Sequence, residues 1–179
     1  MHKLFYLLAA IVIATSSCEL INEAVDPITF TIDGSEIPFT LEEQDAPGTF
    51  TLSAADVSLG IQRELDAENV SADRLISLRP ESLLLRIIST TAPVDLSVIE
   101  AASVTIEAPG MAPVTFAAGD LAINSANTEA ELNISDRELL DHLLAPTADY
   151  ELSITITEPI AEPVELGVRP RFRAEADVL

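Results

Sequence analysis

The side chains that could do chemistry are few. Cys18 is the only cysteine, and His142 is the only histidine apart from His2. A lone histidine and a lone thiol cannot assemble a histidine- or thiol-based triad, nor a structural zinc site. His142 sits beside Asp141, on the side of a predicted helix away from its leucines, and reads as an ordinary surface histidine. Carboxylates are plentiful, so paired-carboxylate hydrolysis is open by count. Against it, Trp is absent, and Tyr150 is the only tyrosine besides Tyr6, leaving little to hold a sugar. Calcium takes oxygen ligands, yet no Asp/Asn loop of the EF-hand kind is present. The sequence therefore assigns no catalytic residue and no cofactor, with calcium the one metal left open.

Arg169, Arg171 and Arg173 alternate near the end of the chain. On a strand they share one face. Three guanidinium groups there could contact an anionic ligand or partner, or pair with acids on a neighbouring strand; the pairing is the commoner use.

Charge narrows the partners. The chain carries 30 acidic and 9 basic residues, for a formal charge of −21. Its only lysine is Lys3, and the other basic residues are arginines. Such a surface repels phosphate backbones, which excludes nucleic acid. Self-repulsion of this size is relieved by salt. An acidic, lysine-free surface is similar to that of proteins from salt-loving bacteria.

The amino end has its own pattern. Lys3 precedes an apolar run from Leu4 to Ala14, followed by Thr15-Ser16-Ser17-Cys18. Positive start, short apolar core and small-residue site make a secretory signal. The run is about half of the ~20 residues a spanning helix needs. Thr15-Ser16-Ser17-Cys18 resembles the lipobox of bacterial lipoproteins, with Thr15 in place of the usual leucine, as in the looser lipoboxes of Bacteroidota. The resemblance implies a signal peptide at 1–17, cleaved before an acylated Cys18. Residues 18–26 are then the lipidated cysteine and an acidic tether, loosely similar to Bacteroidota surface-export signals. Residues 27–179 remain as one domain, within the roughly 100–200 residues expected of one.

That domain reads as mainly β. Ile28–Asp33 and Ile37–Leu41 alternate around Asp33-Gly34 and predict a hairpin. Thr49–Leu52 is strand-like. Ala54, Val57, Ile61 and Leu65 fall on one helical face, predicting a helix within Ser53–Asn69 that is capped at Ser53 and weakened by Gly60. Leu75–Ser89 is strand-rich, central and broken by Pro80. Val94–Glu100 predicts one helical turn. Ser103–Glu107 and Ala112–Phe116 flank Pro109-Gly110 as a second hairpin. After the alternating Thr128–Ile134 strand, Ser135-Asp136-Arg137-Glu138 reads as a capping box, opening a helix with Leu139, Leu140, Leu143 and Leu144 buried and stopped by Pro146. Thr147–Thr157 and Val164–Ala176 are the last strands, with Pro170 marking an edge or a bulge.

Short strands at this turn spacing predict an antiparallel β-sandwich, immunoglobulin-like or related, with two short α-helices after an N-terminal signal helix. The chain resembles the small β-rich lipoproteins of Bacteroidota-like bacteria, specifically only at the lipobox. That resemblance implies an exported protein, lipid-anchored to the bacterial membrane, with the outer membrane expected. The resemblance assigns no activity; the anchor, a large apolar core and the lack of a catalytic set point to a non-catalytic binding or structural module whose partners are the bilayer, through Cys18, and an envelope protein, polymer or apolar ligand. The alternative is a carboxylate- or calcium-dependent extracytoplasmic hydrolase.

Overall fold

The computed structural model describes residues 26–90 and 94–177. The expected signal peptide with its signal helix, Cys18 and all but the last residue of the expected tether lie outside the described residues. Among those described are nine strands and two short α-helices. The strands are β1 (Ile28–Asp33), β2 (Ile37–Leu41), β3 (Gly48–Val57), β4 (Leu75–Thr90), β5 (Ile99–Glu107), β6 (Val114–Ile123), β7 (Glu129–Ile134), β8 (Ala148–Ile156) and β9 (Val164–Ala176). The helices are α1 (Ile61–Ala67) and α2 (Leu140–Leu144). The fold is mainly β and entirely antiparallel, with strand order β1-β9-β4-β7-β6-β5-β8-β3 and β2 also on β9. This single sheet curls over on itself into a sandwich-like fold, and β2 touches β3 without sharing a ladder. No helix among the described residues is long and apolar enough to cross a membrane.

Alternation drives the closure. On β8, Ala148, Tyr150, Leu152, Ile154 and Ile156 point inward, and on β9 Val168, Phe172 and Ala174 do the same. Phe39, Phe116 and Phe172 join aliphatic side chains in one continuous core. Each Val, Leu, Ile or Phe side chain among them contributes roughly 1.5–3 kcal/mol when fully buried.

The structure corrects several local expectations. β1 and β2 do not form a hairpin. Both pair with β9, in line along the same edge, β1 with Arg171–Ala176 and β2 with Val164–Val168. The chain steps between them at Gly34, whose N–H donates to the Pro170 carbonyl at 3.0 Å. A Cβ on Gly34 would stand 2.8 Å from Pro170 Cγ. Gly34 thus serves close approach, not turn reversal. On an antiparallel strand the N–H and C=O of one residue point the same way. The donor that Pro170 lacks therefore faces the β1–β2 step, so Pro170 sits inside a strand flanked on both sides.

Pro80 does not break β4 either. The strand runs on, with the ladder register shifting between Pro80 and Ser82. Two residues earlier, Leu78 aims its backbone away from β9, and Pro80 aims the same way. β7 covers that side only at Leu84–Arg86, so no ladder bond is lost at Pro80.

The helix predicted within Ser53–Asn69 is shorter. Phe50, Leu52 and Ala54 continue the period-2 pattern, and pairing with β8 holds that stretch extended as far as Val57. α1 begins only after Gly60, which has φ +70°. Ser53 caps nothing. Between 94 and 100 the expected turn is a 3₁₀ turn, Leu96–Val98, capped by Asp95.

Candidate functional site

β9 lays its arginines on one exposed face, with Pro170 and Phe172 buried between them. The register extends each position across the sheet. Thr31, Arg173 and Arg79 form one row, Asp33, Arg171 and Ser82 the next. Arg169, Leu84 and Glu131 follow, then Gly167, Arg86 and Glu129. Facing residues in such rows interact directly.

The stripe is largely neutralised by these neighbours. Arg171 Nε donates to Asp33 Oδ1 at 2.8 Å. Arg86 Nε donates to Glu36 Oε2 at 2.6 Å, and Arg169 Nη2 stands 3.7 Å from the same oxygen. The hydrogen bond and charge of Asp33 hold Arg171 above the ordinary arginine range, and those of Glu36 do so for Arg86. Glu36 reaches Arg86 by crossing Gly167, where a Cβ would stand 2.8 Å from Glu36 Cδ and 2.9 Å from Ile88 Cγ1. Gly167 is therefore required by the passage of a side chain over the strand.

Arg173 differs. Among the described residues it has no ion-pair partner, and Arg79 opposite it turns to Asp136 at 3.0 Å and Glu138 at 3.4 Å. An exposed, uncommitted guanidinium grips a carboxylate or phosphate through two parallel N–H donors. Arg169 and Arg171 meanwhile wall two shallow depressions. One, of about 270 Å³, also takes in Asp33, Ser82, Leu84 and Glu131. The other, of about 320 Å³, takes in Asp33, Glu36, Arg63 and Glu64. Their mixed lining suits a charge-paired contact more than a bare anion.

Glu138 and His142 have structural roles that the sequence did not give them. Ser135–Leu139 is not helical, and α2 spans only Leu140–Leu144. Ser135 Oγ donates instead to the Phe116 carbonyl. Leu139 and Leu143 are buried, Leu140 is half-buried and Leu144 is exposed. Glu138 Oε1 accepts the N–H groups of Leu139 and Leu140 at 3.1 Å each, and that of Leu78 at 2.8 Å. Its Oε2 accepts from Ser77 Oγ at 2.7 Å. The Leu139 N–H in turn donates to the Leu78 carbonyl at 2.9 Å. Glu138 and Leu139 so replace the strand that β4 lacks at Leu78. Burial raises the Glu138 carboxyl, but the bonds from Ser77, Leu78 and Leu140 and the Arg79 charge outweigh it and hold the group below the usual carboxylate range. His142 Nε2 lies 3.0 Å from the Ala112 carbonyl, to which it must donate, tying α2 to the β5–β6 hairpin.

A groove of about 380 Å³ crosses the outer face of β3, β8 and β5, lined in part by Glu107, Asp149, Tyr150 and Glu151. Glu107 and Asp149 are paired across the ladder. No group of three or more His, Cys, Asp or Glu placed to hold a metal ion occurs among the described residues. Cys18 lies outside them. The Asp33 and Glu36 partners of the stripe were not legible in advance. Gly167, a glycine inside an alternating strand, was the one available sign of close approach.

No protein-family model matches the chain, and no curated protein matches it in sequence. Two solved structures of infectious bursal disease virus overlap it weakly. The Gt strain is 16% identical, with a TM-score of 0.30, over 84% of this chain and 32% of that one. The Gx strain is 15% identical, with a TM-score of 0.26, over 87% and 38%. The chain spans less than two fifths of those viral chains, and overlap at this level assigns neither family nor activity.

Proposed function

We propose that this protein is a lipid-anchored, non-catalytic binding or structural module of the bacterial cell envelope, held at the outer membrane through acylated Cys18. The observation that carries the reading is the placement of the single cysteine, after Thr15-Ser16-Ser17 and a short apolar run behind Lys3. Each buried CH₂ of an acyl chain contributes roughly 0.8 kcal/mol, and one chain alone binds only marginally, so multiple acylation is what makes the anchor firm. Its partner would be an envelope protein, a polymer or an apolar ligand, and the exposed Arg173, without an ion-pair partner among the described residues, offers one polar contact on a face of otherwise paired charges.

Intact mass and membrane fractionation of wild type beside Cys18→Ala in the native host test the anchor. Acyl mass on a chain starting at Cys18, with the variant unlipidated and released, is the expected result. A soluble, unacylated wild type cut after Ser17 overturns it. Turnover of an envelope polymer that is abolished by substituting Glu107 or Asp149 would replace the module reading with a hydrolase.

A further inference from the structure

We propose that the end of the sheet where β1 begins and β9 finishes rests on the bilayer, with Ile28 and Ile76 against a zwitterionic lipid surface. Given the acylated Cys18 on which this rests, the fold decides which end of the domain meets the membrane. Ala176, the last residue of β9, pairs with Ile28 on one side and Leu75 on the other. Ile76 follows at the register shift between Leu75 and Ser77. Strands lie about 4.8 Å apart, so the two isoleucines flank the end of β9 at a separation of about 10 Å.

The core is open at this end. Along the inward phase of β1, Ile32 is 1% exposed, Phe30 is half-buried and Ile28 is 41% exposed. Ile76 is 50% exposed, the most of any large apolar side chain among the described residues. Ile88 and Leu144, the other two exposed ones, lie near the far end of β4 and on α2. Apolar side chains left open to water gain by entering the boundary between headgroups and acyl chains.

Chain length selects the occupant. Cys18 stands eight residues before Asp26, the first described residue. At ~3.3–3.6 Å per residue that stretch spans at most about 29 Å. A bilayer holding Cys18 is therefore always within reach of Ile28. Contact becomes an intramolecular step at an effective concentration on the order of millimolar, so a pair of isoleucines suffices where it would not recruit a free chain. Charge sets the lipid. Asp26, Asp73 and Asp177 stand at this end against Arg74, whose carbonyl accepts the Asp177 N–H. Such a surface is repelled by an anionic leaflet and tolerated by a zwitterionic one.

The test is depth-dependent fluorescence of the protein as the native host makes it, reconstituted in phosphatidylcholine vesicles that contain lipid with brominated acyl chains. Acylation consumes Cys18, so an added cysteine is the one thiol open to an environment-sensitive fluorophore. Thr29→Cys reports from an exposed position beside Ile28. Ser125→Cys reports from the β6–β7 turn at the far end of β4, where the Ile87 N–H donates to the Thr128 carbonyl. Emission at 29 should be blue-shifted and quenched, and emission at 125 neither. Adding Ile28→Asp and Ile76→Asp to Thr29→Cys should abolish the quenching while the chain stays acylated and vesicle-bound. If that variant loses its β circular-dichroism signal, Ile76→Asp alone decides. Unquenched emission at 29 on a vesicle-bound chain overturns the proposal. So does quenching at 125 equal to that at 29, or quenching at 29 that the folded aspartate variant keeps. A chain that is neither acylated nor vesicle-bound overturns the anchor and this contact together.

Discussion

Replacing Glu138 with alanine removes the carboxylate that stitches β4 to the start of α2. Three donors lose their acceptor, the N–H groups of Leu78 and Leu140 and the Ser77 hydroxyl, while the Leu139 N–H keeps the Leu78 carbonyl. A hydrogen bond to a charged group contributes about 1.5–3 kcal/mol, and a helix-start acceptor about 0.5–2 kcal/mol. The Glu138 side chain is 41% exposed, so water replaces part of what is lost. Ser77 is only 7% exposed, so part cannot be replaced. A net cost of about 2 kcal/mol follows, which for a domain of this size lowers Tm by roughly 4–8 °C. Urea and thermal unfolding followed by far-ultraviolet circular dichroism measure it; Trp is absent from the chain. The pH dependence gives an independent check. The folded carboxyl lies below its ordinary value near 4.5. Its stabilisation is therefore present in full above that pH and lost as pH falls through the folded value. The gap between wild type and Glu138→Gln should narrow over that range. A cost below about 0.5 kcal/mol for Glu138→Ala, or a gap that widens in acid, would show that the carboxylate does not hold β4 to α2.

Three further outcomes are expected. Gly34→Ala drives a methyl against the rigid Pro170 ring and should cost about 1–3 kcal/mol in urea unfolding, whereas a neutral result would mean that the β1–β2 step slides freely along β9. Phe172→Ala empties a fully buried ring position and should cost about 3–5 kcal/mol, enough to unfold a marginal domain, as read by its urea midpoint. Raising NaCl from about 0.01 M to about 1 M shrinks the Debye length from roughly 30 Å to 3 Å and should raise Tm, because the dominant charge effect in a chain of −21 is self-repulsion; a falling Tm would mean that the cross-strand pairs around Glu36 and Asp33 outweigh it.

What the sequence determined by itself is what depends on near neighbours in the chain. The run Val164–Ala176 alternates so regularly that its face of arginines and its extent were legible, and the structure reproduces its bounds. The β5–β6 hairpin around Pro109-Gly110 was equally local, with Gly110 at φ +79°. Which partner each local signal meets depends on the three-dimensional packing. Asp33-Gly34 carries a turn signal, yet a thirteen-residue β9 offers both flanking strands one long partner in line, and its ladder outweighs the hairpin. Ser53–Val57 fits a helical period and a strand period at once, and the waiting edge of β8 chooses the strand. Glu138 looked like a local cap, but an open stretch of β4 sixty residues earlier in the chain needed an acceptor at Leu78. Each of these is settled by a backbone hydrogen-bonding requirement on a distant strand, which no window of sequence around the residue contains.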